Sequence, residues 1–564
     1  MNHTGFGLIV VATVALLAGC ASPGKMTAGD PAAGCAALAG TTIAPTAIGL
    51  PSGAARIDSA TFMPPAPMAV AERAPTPAGT ITPATPAYCK VLGKIAPVDP
   101  NAPPIHFQVN LPAQWNGRSV QYGGGGFNGV LISGLALVPA QRYEAAAPLA
   151  QGFVTYGTDS GHQNQPGQPP QVFALNDEAL LNFAHASYKK VRDVAVAVMK
   201  TAYGRGPQKL YFVGSSEGGR EGLTMAQRYP ADFDGIFSRV PVINWTALQH
   251  VGLRDGLALT GEGWIPPARI KLVHDAVLAA CDAADGLADG LVSDAIGCRH
   301  RFDVTKLQCA GAVNDSCLNA AQVKAVQTLH SGYRFDFPLA NGVRQYPGRG
   351  PSGENTAASG PTGGWQSWWT GAQPPAFPPV QANGIGWFYG AGAIQYFYAR
   401  DPNADLRRYD TKNHVARIQQ VSELMDSMNT DLSAFQARGG KLILLENLGD
   451  YAQSPYTGIL YWTDVTRRMG EDRVGQFFKL YTAPNVDHVG TGGPANADFL
   501  GALVAWVEQG RAPAGLQLVE QEAKPPFAVK RSRPLCEWPN FPRYRSGDVN
   551  DAASFTCVPT TPGS

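Results

Sequence analysis

From about residue 106 the chain alternates short apolar runs with longer amphipathic ones. His106–Leu111, Ser119–Tyr122 and Phe153–Tyr156 read as strands, and Val191–Ala202 carries its apolar residues at helical spacing. Leu210–Val213 is a further apolar strand, followed by a helix-like run from Arg220 to Arg228. The alternation breaks after Val240 and resumes at Gly440. There Lys441–Leu445 and Phe477–Thr482 read as strands, Gly458–Met469 and Ala497–Glu508 as helices. Strands alternating with helices predict an α/β fold, a mostly parallel sheet with helices on both faces. The interruption, residues 241–432, is rich in aromatics, Gly and Pro and is expected to be an inserted lid. The core would then comprise residues 35–240 and 433–564. Residues 31–100 are rich in Ala and Pro with little periodicity and read as an extended N-terminal segment.

Composition narrows the class. At 564 residues the chain exceeds one compact core, and 45% apolar against 15% charged residues marks it as globular. A net charge of +1 without a long basic run leaves no reason to expect nucleic acid as a partner. Residues 5–19 form an apolar run of signal-peptide length, too short to span a membrane comfortably, although no Lys or Arg precedes it. It ends Leu17-Ala18-Gly19-Cys20, which resembles a bacterial lipoprotein box. Residues 1–19 are therefore expected to be a signal peptide and 20–34 a tether, with membrane contact only through a lipid on Cys20. A plain secretory signal is the alternative, and both export the protein. Eight further cysteines remain, an even number suited to an oxidising compartment. Their clustering favours Cys35–Cys89, Cys281–Cys298, Cys309–Cys317 and Cys536–Cys557, although sequence alone does not fix connectivity. A metal cluster would want a tight Cys-x-x-Cys pair, and the chain has none.

The candidate chemistry centres on Gly214-Ser215-Ser216-Glu217-Gly218, a Gly-x-Ser-x-Gly between a strand and a helix. This context makes a sharp turn that pushes the Ser216 hydroxyl outward. A hydroxyl is a poor nucleophile without a base and a group to orient that base. The strand Lys441–Leu445 is followed by Asp450, and the strand Phe477–Thr482 by His488, the chain order Ser, acid, His. Glu446 and Asp487 are rival acids. An oxyanion would need donors. The amide of Glu217 and the run Gly123–Gly126, directly after a strand, are the natural sources. Separately, Cys281 to Leu291 holds three carboxylates and two glycines, an oxygen-rich loop suited to Ca²⁺. Asp282, Asp285 and Asp289 would bind through side chains, Leu287 and Leu291 through carbonyls. The spacing is not that of an EF-hand.

The stretch Gly214 to Gly222, the Asp-rich loop, Trp365-x-x-Trp368-Trp369 and the late pair Asp450 and His488 together resemble the tannase and feruloyl esterase family. The resemblance runs from about Cys35 to Cys557. It implies an α/β-hydrolase core, a lid that builds the substrate pocket, a structural Ca²⁺ on the lid, and hydrolysis of small aromatic carboxylic esters such as feruloyl or galloyl esters. It makes Ser216 the nucleophile, Asp450 the orienter and His488 the base, with oxyanion amides from Gly126 and Glu217. Trp368 and Phe388 are the expected substrate contacts, and the other lid aromatics are expected mainly to pack the lid core. The chain departs from the family twice. The family joins a Cys before the nucleophile to one after the His, where this chain has Ser215 and Val489. Residues 350–399 also hold no Lys or Arg, which disfavours gripping a free carboxylate there. The alternatives are a terephthalate or phthalate monoester hydrolase or another aryl esterase, and, in a different class, an exported binding protein on a hydrolase scaffold.

Overall fold

The computed structural model describes residues 1, 30–71, 80–355 and 364–560. The expected signal peptide and Cys20 lie outside the described residues. Ten strands form the central sheet. In chain order they are β1 (Thr42–Ile43), β2 (Ala55–Met63), β3 (Tyr88–Ile95), β4 (Ile105–Pro112), β5 (Arg118–Tyr122), β6 (Val154–Thr158), β7 (Lys209–Ser215), β8 (Gly235–Arg239), β9 (Lys441–Asn447) and β10 (Phe478–Ala483). Their spatial order is β1-β2-β3-β4-β6-β5-β7-β8-β9-β10.

From β6 to β10 the neighbours are parallel, as the alternation predicts. From β1 to β6 they are antiparallel. The N-terminal segment is thus not merely extended, because β2 and β3 pair along eight positions and widen the sheet. Pro clusters at 64–67 and 83–86 flank these strands and hide their period-2 pattern.

Period-2 alternation sends successive side chains to opposite faces. Leu210, Phe212, Ile236, Leu442 and Leu444 face one layer; Tyr211, Val213, Phe237, Ile443 and Leu445 face the other. Helix α1 (Ser187–Tyr203) lays Val191, Val194 and Val198 against Val91, Phe107 and Val109 of the antiparallel half. The C-terminal helix Phe499–Gln509 covers the opposite face of the parallel half with Phe499, Leu503 and Trp506.

Between β8 and β9 the chain leaves the sheet for about two hundred residues. Helices Trp245–Ala258 and Ile385–Ala393 of this excursion cross closely in an apolar cluster that also takes in Phe127, Leu180 and Phe183 of the preceding core segment. A Cβ at Gly390 would lie 2.6 Å from the backbone of Gly252, so the crossing requires glycine. Trp365, Trp369 and Trp387 are buried here as packing residues. Trp369 Nε1 donates to the Tyr451 carbonyl at 2.8 Å and ties the excursion to the core. All four expected disulfides are formed. No helix among the described residues is long and apolar enough to cross a membrane.

The Cys35–Cys89 bond closes 54 residues and pins the N-terminal strands to the sheet. Loss of that constraint costs roughly 4 kcal/mol on chain-entropy grounds. The double variant Cys35→Ala/Cys89→Ala is therefore expected to melt clearly below the parent in calorimetry, and an unchanged Tm would contradict this.

Candidate active site

The elbow is built by backbone crowding. Ser216 sits between β7 and helix α2 (Glu217–Arg228) at φ 60, ψ −120, outside the regions that L residues ordinarily occupy. Its amide donates to the Arg239 carbonyl at 3.0 Å, and the amide of Gly218 donates to Gly124 at 3.2 Å. A Cβ on Gly214 would come within 2.1 Å of the Gly218 carbonyl, and one on Gly218 within 2.7 Å of Gly124 O. The glycines flanking Ser216 are thus sterically required.

Three distant side chains meet at this turn. His488 Nε2 lies 2.9 Å from Ser216 Oγ, and His488 Nδ1 lies 2.7 Å from Asp450 Oδ2. Asp450 Oδ1 accepts from the amides of Ala452 and Gln453 at 2.8 and 3.0 Å, which orients the carboxylate. The loops carrying the pair are joined, because Gly449 N donates to Val486 O at 2.9 Å.

The rival acids have other work. Asp487 turns its carboxylate back on its own loop, accepting from the amides of Val489, Gly490 and Thr491 and from the Thr491 hydroxyl. Glu446 is fully buried and bonds Gln453 Nε2 at 3.0 Å. Burial, and then the Asp450 charge beside it, push its carboxyl well above the usual range.

The glycine run supplies one free amide. The N–H groups of Gly123, Gly124 and Gly125 donate to Val213 O, Glu221 Oε2 and Asn128 Oδ1. Among the described residues, the amides of Gly126 and Glu217 have no protein acceptor. Glu221 is buried and also accepts from Asn128 Nδ2 at 2.8 Å, so one carboxyl holds Gly124 directly and Gly125 through Asn128. The Glu217 side chain points inward to Arg220, with Arg220 Nε donating at 2.8 Å. Burial raises that carboxyl to about 7 against the opposing pull of Arg220. Arg220 donates further to the carbonyls of Ala184 and Met425, anchoring α2 to the excursion.

Aromatic rings roof the site. Trp368 lies 5.8 Å from the His488 ring, and Tyr389 meets Trp368 edge-on at 5.9 Å. The Tyr389 hydroxyl comes so near the glycine run that a Cβ on Gly126 would lie 2.8 Å from it. Phe388 is half-buried and leans on Tyr389 at 6.2 Å. Trp368 and Tyr389 thus stand over the site, with Phe388 packed against Tyr389.

The Asp-rich loop lies apart from this site. Asp282 accepts from the amides of Asp289 and Gly290, Asp285 from that of Leu287, and Asp289 from that of Leu291. Asp289 also pairs with Arg533. Burial first, then the charges of Asp289 and Asp282, raise Asp285 to about 6. One buried carboxylate beside two part-exposed ones is donor chemistry that a hard cation would relieve. Among the described residues, however, no three acidic, His or Cys side chains already stand as a closed metal cage. A cation here would have to draw the carboxylates inward.

Comparison with known proteins agrees with this architecture. Residues 89–558 match the family described as tannase and feruloyl esterase. An uncharacterised esterase of Agrobacterium fabrum is 36% identical over 548 residues, 93% of each chain. The mono(2-hydroxyethyl) terephthalate hydrolase of Piscinibacter sakaiensis is 34% identical over 542 residues, 86% of each chain. The crystal structure of feruloyl esterase B from Aspergillus oryzae superposes with a TM-score of 0.71 at 25% identity, covering 89% of this chain and 97% of that one.

If Glu221 holds the glycine run in register, Glu221→Ala lowers kcat by about tenfold or more while leaving KM within a few fold. Steady-state kinetics on a folded variant, verified by circular dichroism, check this.

Proposed function

The chain belongs to the tannase and feruloyl esterase family and is a carboxylic ester hydrolase, and on that premise we propose that it cleaves aromatic esters through an acyl-enzyme on Ser216. The observation that carries the proposal is the unbroken relay Ser216–His488–Asp450, with hydrogen bonds of 2.9 and 2.7 Å. His488 takes the Ser216 proton as the hydroxyl attacks the ester carbonyl, then gives it to the leaving alkoxide. Asp450 holds the imidazole in the tautomer that presents Nε2 to the hydroxyl and steadies the imidazolium. The amides of Gly126 and Glu217 receive the oxyanion. Water then repeats the sequence and releases the acid.

The roof of Trp368 and Tyr389 favours a flat, uncharged acyl group. The absence of Lys and Arg from residues 350–399 supports a hydroxycinnamoyl or galloyl ester over a substrate with a free carboxylate. The relative that hydrolyses mono(2-hydroxyethyl) terephthalate favours a second reading, a terephthalate monoester. A panel of methyl ferulate, methyl gallate and mono(2-hydroxyethyl) terephthalate separates the two. The methyl esters are expected to be turned over with the higher kcat/KM, and a preference for the terephthalate monoester would overturn the first reading.

Ser216→Ala is expected to abolish turnover, by about a thousandfold or more, with the fold intact. A fluorophosphonate should label wild-type Ser216. Failure to label would favour a non-catalytic binding protein on the same scaffold.

The four disulfides accord with an exported protein, and the lipoprotein box supports lipid attachment at Cys20. The same reading places a structural Ca²⁺ on Asp282, Asp285 and Asp289 and the carbonyls of Leu287 and Leu291. Its work there is to neutralise crowded carboxylates and stiffen the loop. Added chelator is expected to lower Tm by several degrees while kcat at 25 °C changes little. Equal melting with and without chelator would remove the ion.

A further inference from the structure

Arg239, the last residue of β8, is buried and makes three contacts with the catalytic turn. Its carbonyl accepts from the amide of Ser216 at 3.0 Å. Its Nη1 donates to Ser215 Oγ at 3.0 Å, and its Nη2 donates to the carbonyl of His488 at 3.1 Å. One guanidinium thus bridges the residue before the nucleophile and the backbone of the base, which lies 249 positions from Arg239 along the chain. It also fills the space behind the His loop, since a Cβ on Gly490 would lie 3.0 Å from Nη2.

This arginine is unusual in its charge. Among the described residues it has no carboxylate within ion-pair distance, although Asp450 and Asp487 act on it from further off. Burying a guanidinium on neutral acceptors is costly, and the packing of β8 alone does not call for one. A rigid planar fork does something no apolar side chain can do there, because it fixes the spacing of two acceptors at once. Lys could reach one of them as a point charge.

We propose that Arg239 is a positioning residue, a noncovalent clamp that sets His488 against Ser216 in a chain whose positions 215 and 489 carry no cysteines. The clamp rests on the Ser216–His488–Asp450 reading and extends it to what holds the pair in register. It accounts for Ser215 as well: the hydroxyl beside the nucleophile is the acceptor for Nη1 and takes no part in the chemistry.

The test compares Arg239→Met, Arg239→Lys and Ser215→Ala with wild type on methyl ferulate or whichever panel ester is turned over. A fourth protein adds Ser215→Cys and Val489→Cys to Arg239→Met. Wild-type turnover and its loss in Ser216→Ala are measured first, so failure of the triad reading shows there and not in the Arg239 series. Arg239→Met is expected to lose about ten- to a hundredfold in kcat with KM within about threefold, as a misplaced base would. Arg239→Lys recovers part of the loss, and Ser215→Ala loses kcat severalfold. Oxidation of the two introduced thiols to a disulfide, verified by mass, restores kcat to within about threefold of wild type. Mild reduction removes the rescue and leaves wild type unchanged. Wild-type kcat in Arg239→Met would overturn the clamp, and so would a formed cross-link that restores nothing. If Arg239→Met does not fold, Ser215→Ala decides, and an unchanged kcat there overturns the proposal.

Discussion

The site depends on one strained backbone turn. Ser216 is held at φ 60, ψ −120 by neighbours too close to admit any other shape, with Gly214 against Gly218, Gly218 against Gly124, and the Ser216 amide on the Arg239 carbonyl. Strain of this kind persists only where the surroundings over-determine it. Four consecutive strands of the parallel half do so here. β7 delivers the serine, β5 the glycine run, β8 the carbonyl beneath the turn, and β9 the loop with Asp450. β10 then brings His488 to the same end of the sheet.

Around that turn, similar groups are given different tasks by their surroundings. Asp450 is solvated by two backbone amides and faces the imidazole. Glu446, four residues earlier, is stripped of water and driven toward its neutral form by burial and by Asp450. Glu217 leaves its amide without a protein acceptor among the described residues, while its side chain is tied to Arg220. Four successive glycines divide likewise: three amides are bonded within the protein, and among the described residues that of Gly126 has no protein acceptor.

The parallel half of the sheet was legible because each of its strands is a bounded apolar run, and the motif, the two later strands and their trailing Asp and His follow one another in the required order. The antiparallel half was not, since Pro-rich flanks break the alternation around Ala55–Met63 and Tyr88–Ile95. The acid could not be chosen from spacing alone. Asp450, Glu446 and Asp487 all sit beside the right strands, and only hydrogen bonding separates them. Arg239 was silent because nothing in an apolar strand ending in Arg announces which loops its fork will join. Spacing alone does not separate Trp368, which stands over the imidazole, from aromatics such as Trp369 and Trp387 that pack the interior.

Hydrolysis through an acyl-enzyme requires the Ser216 hydroxyl to become covalently acylated. Acid-quenching the enzyme within milliseconds of mixing with an activated aromatic ester, then mapping the added mass by peptide mass spectrometry, tests it directly. One acyl group per chain is expected, on the peptide containing Ser216, formed and lost at rates compatible with turnover. A turning-over enzyme that carries no acyl group, or carries it on another residue, would contradict it.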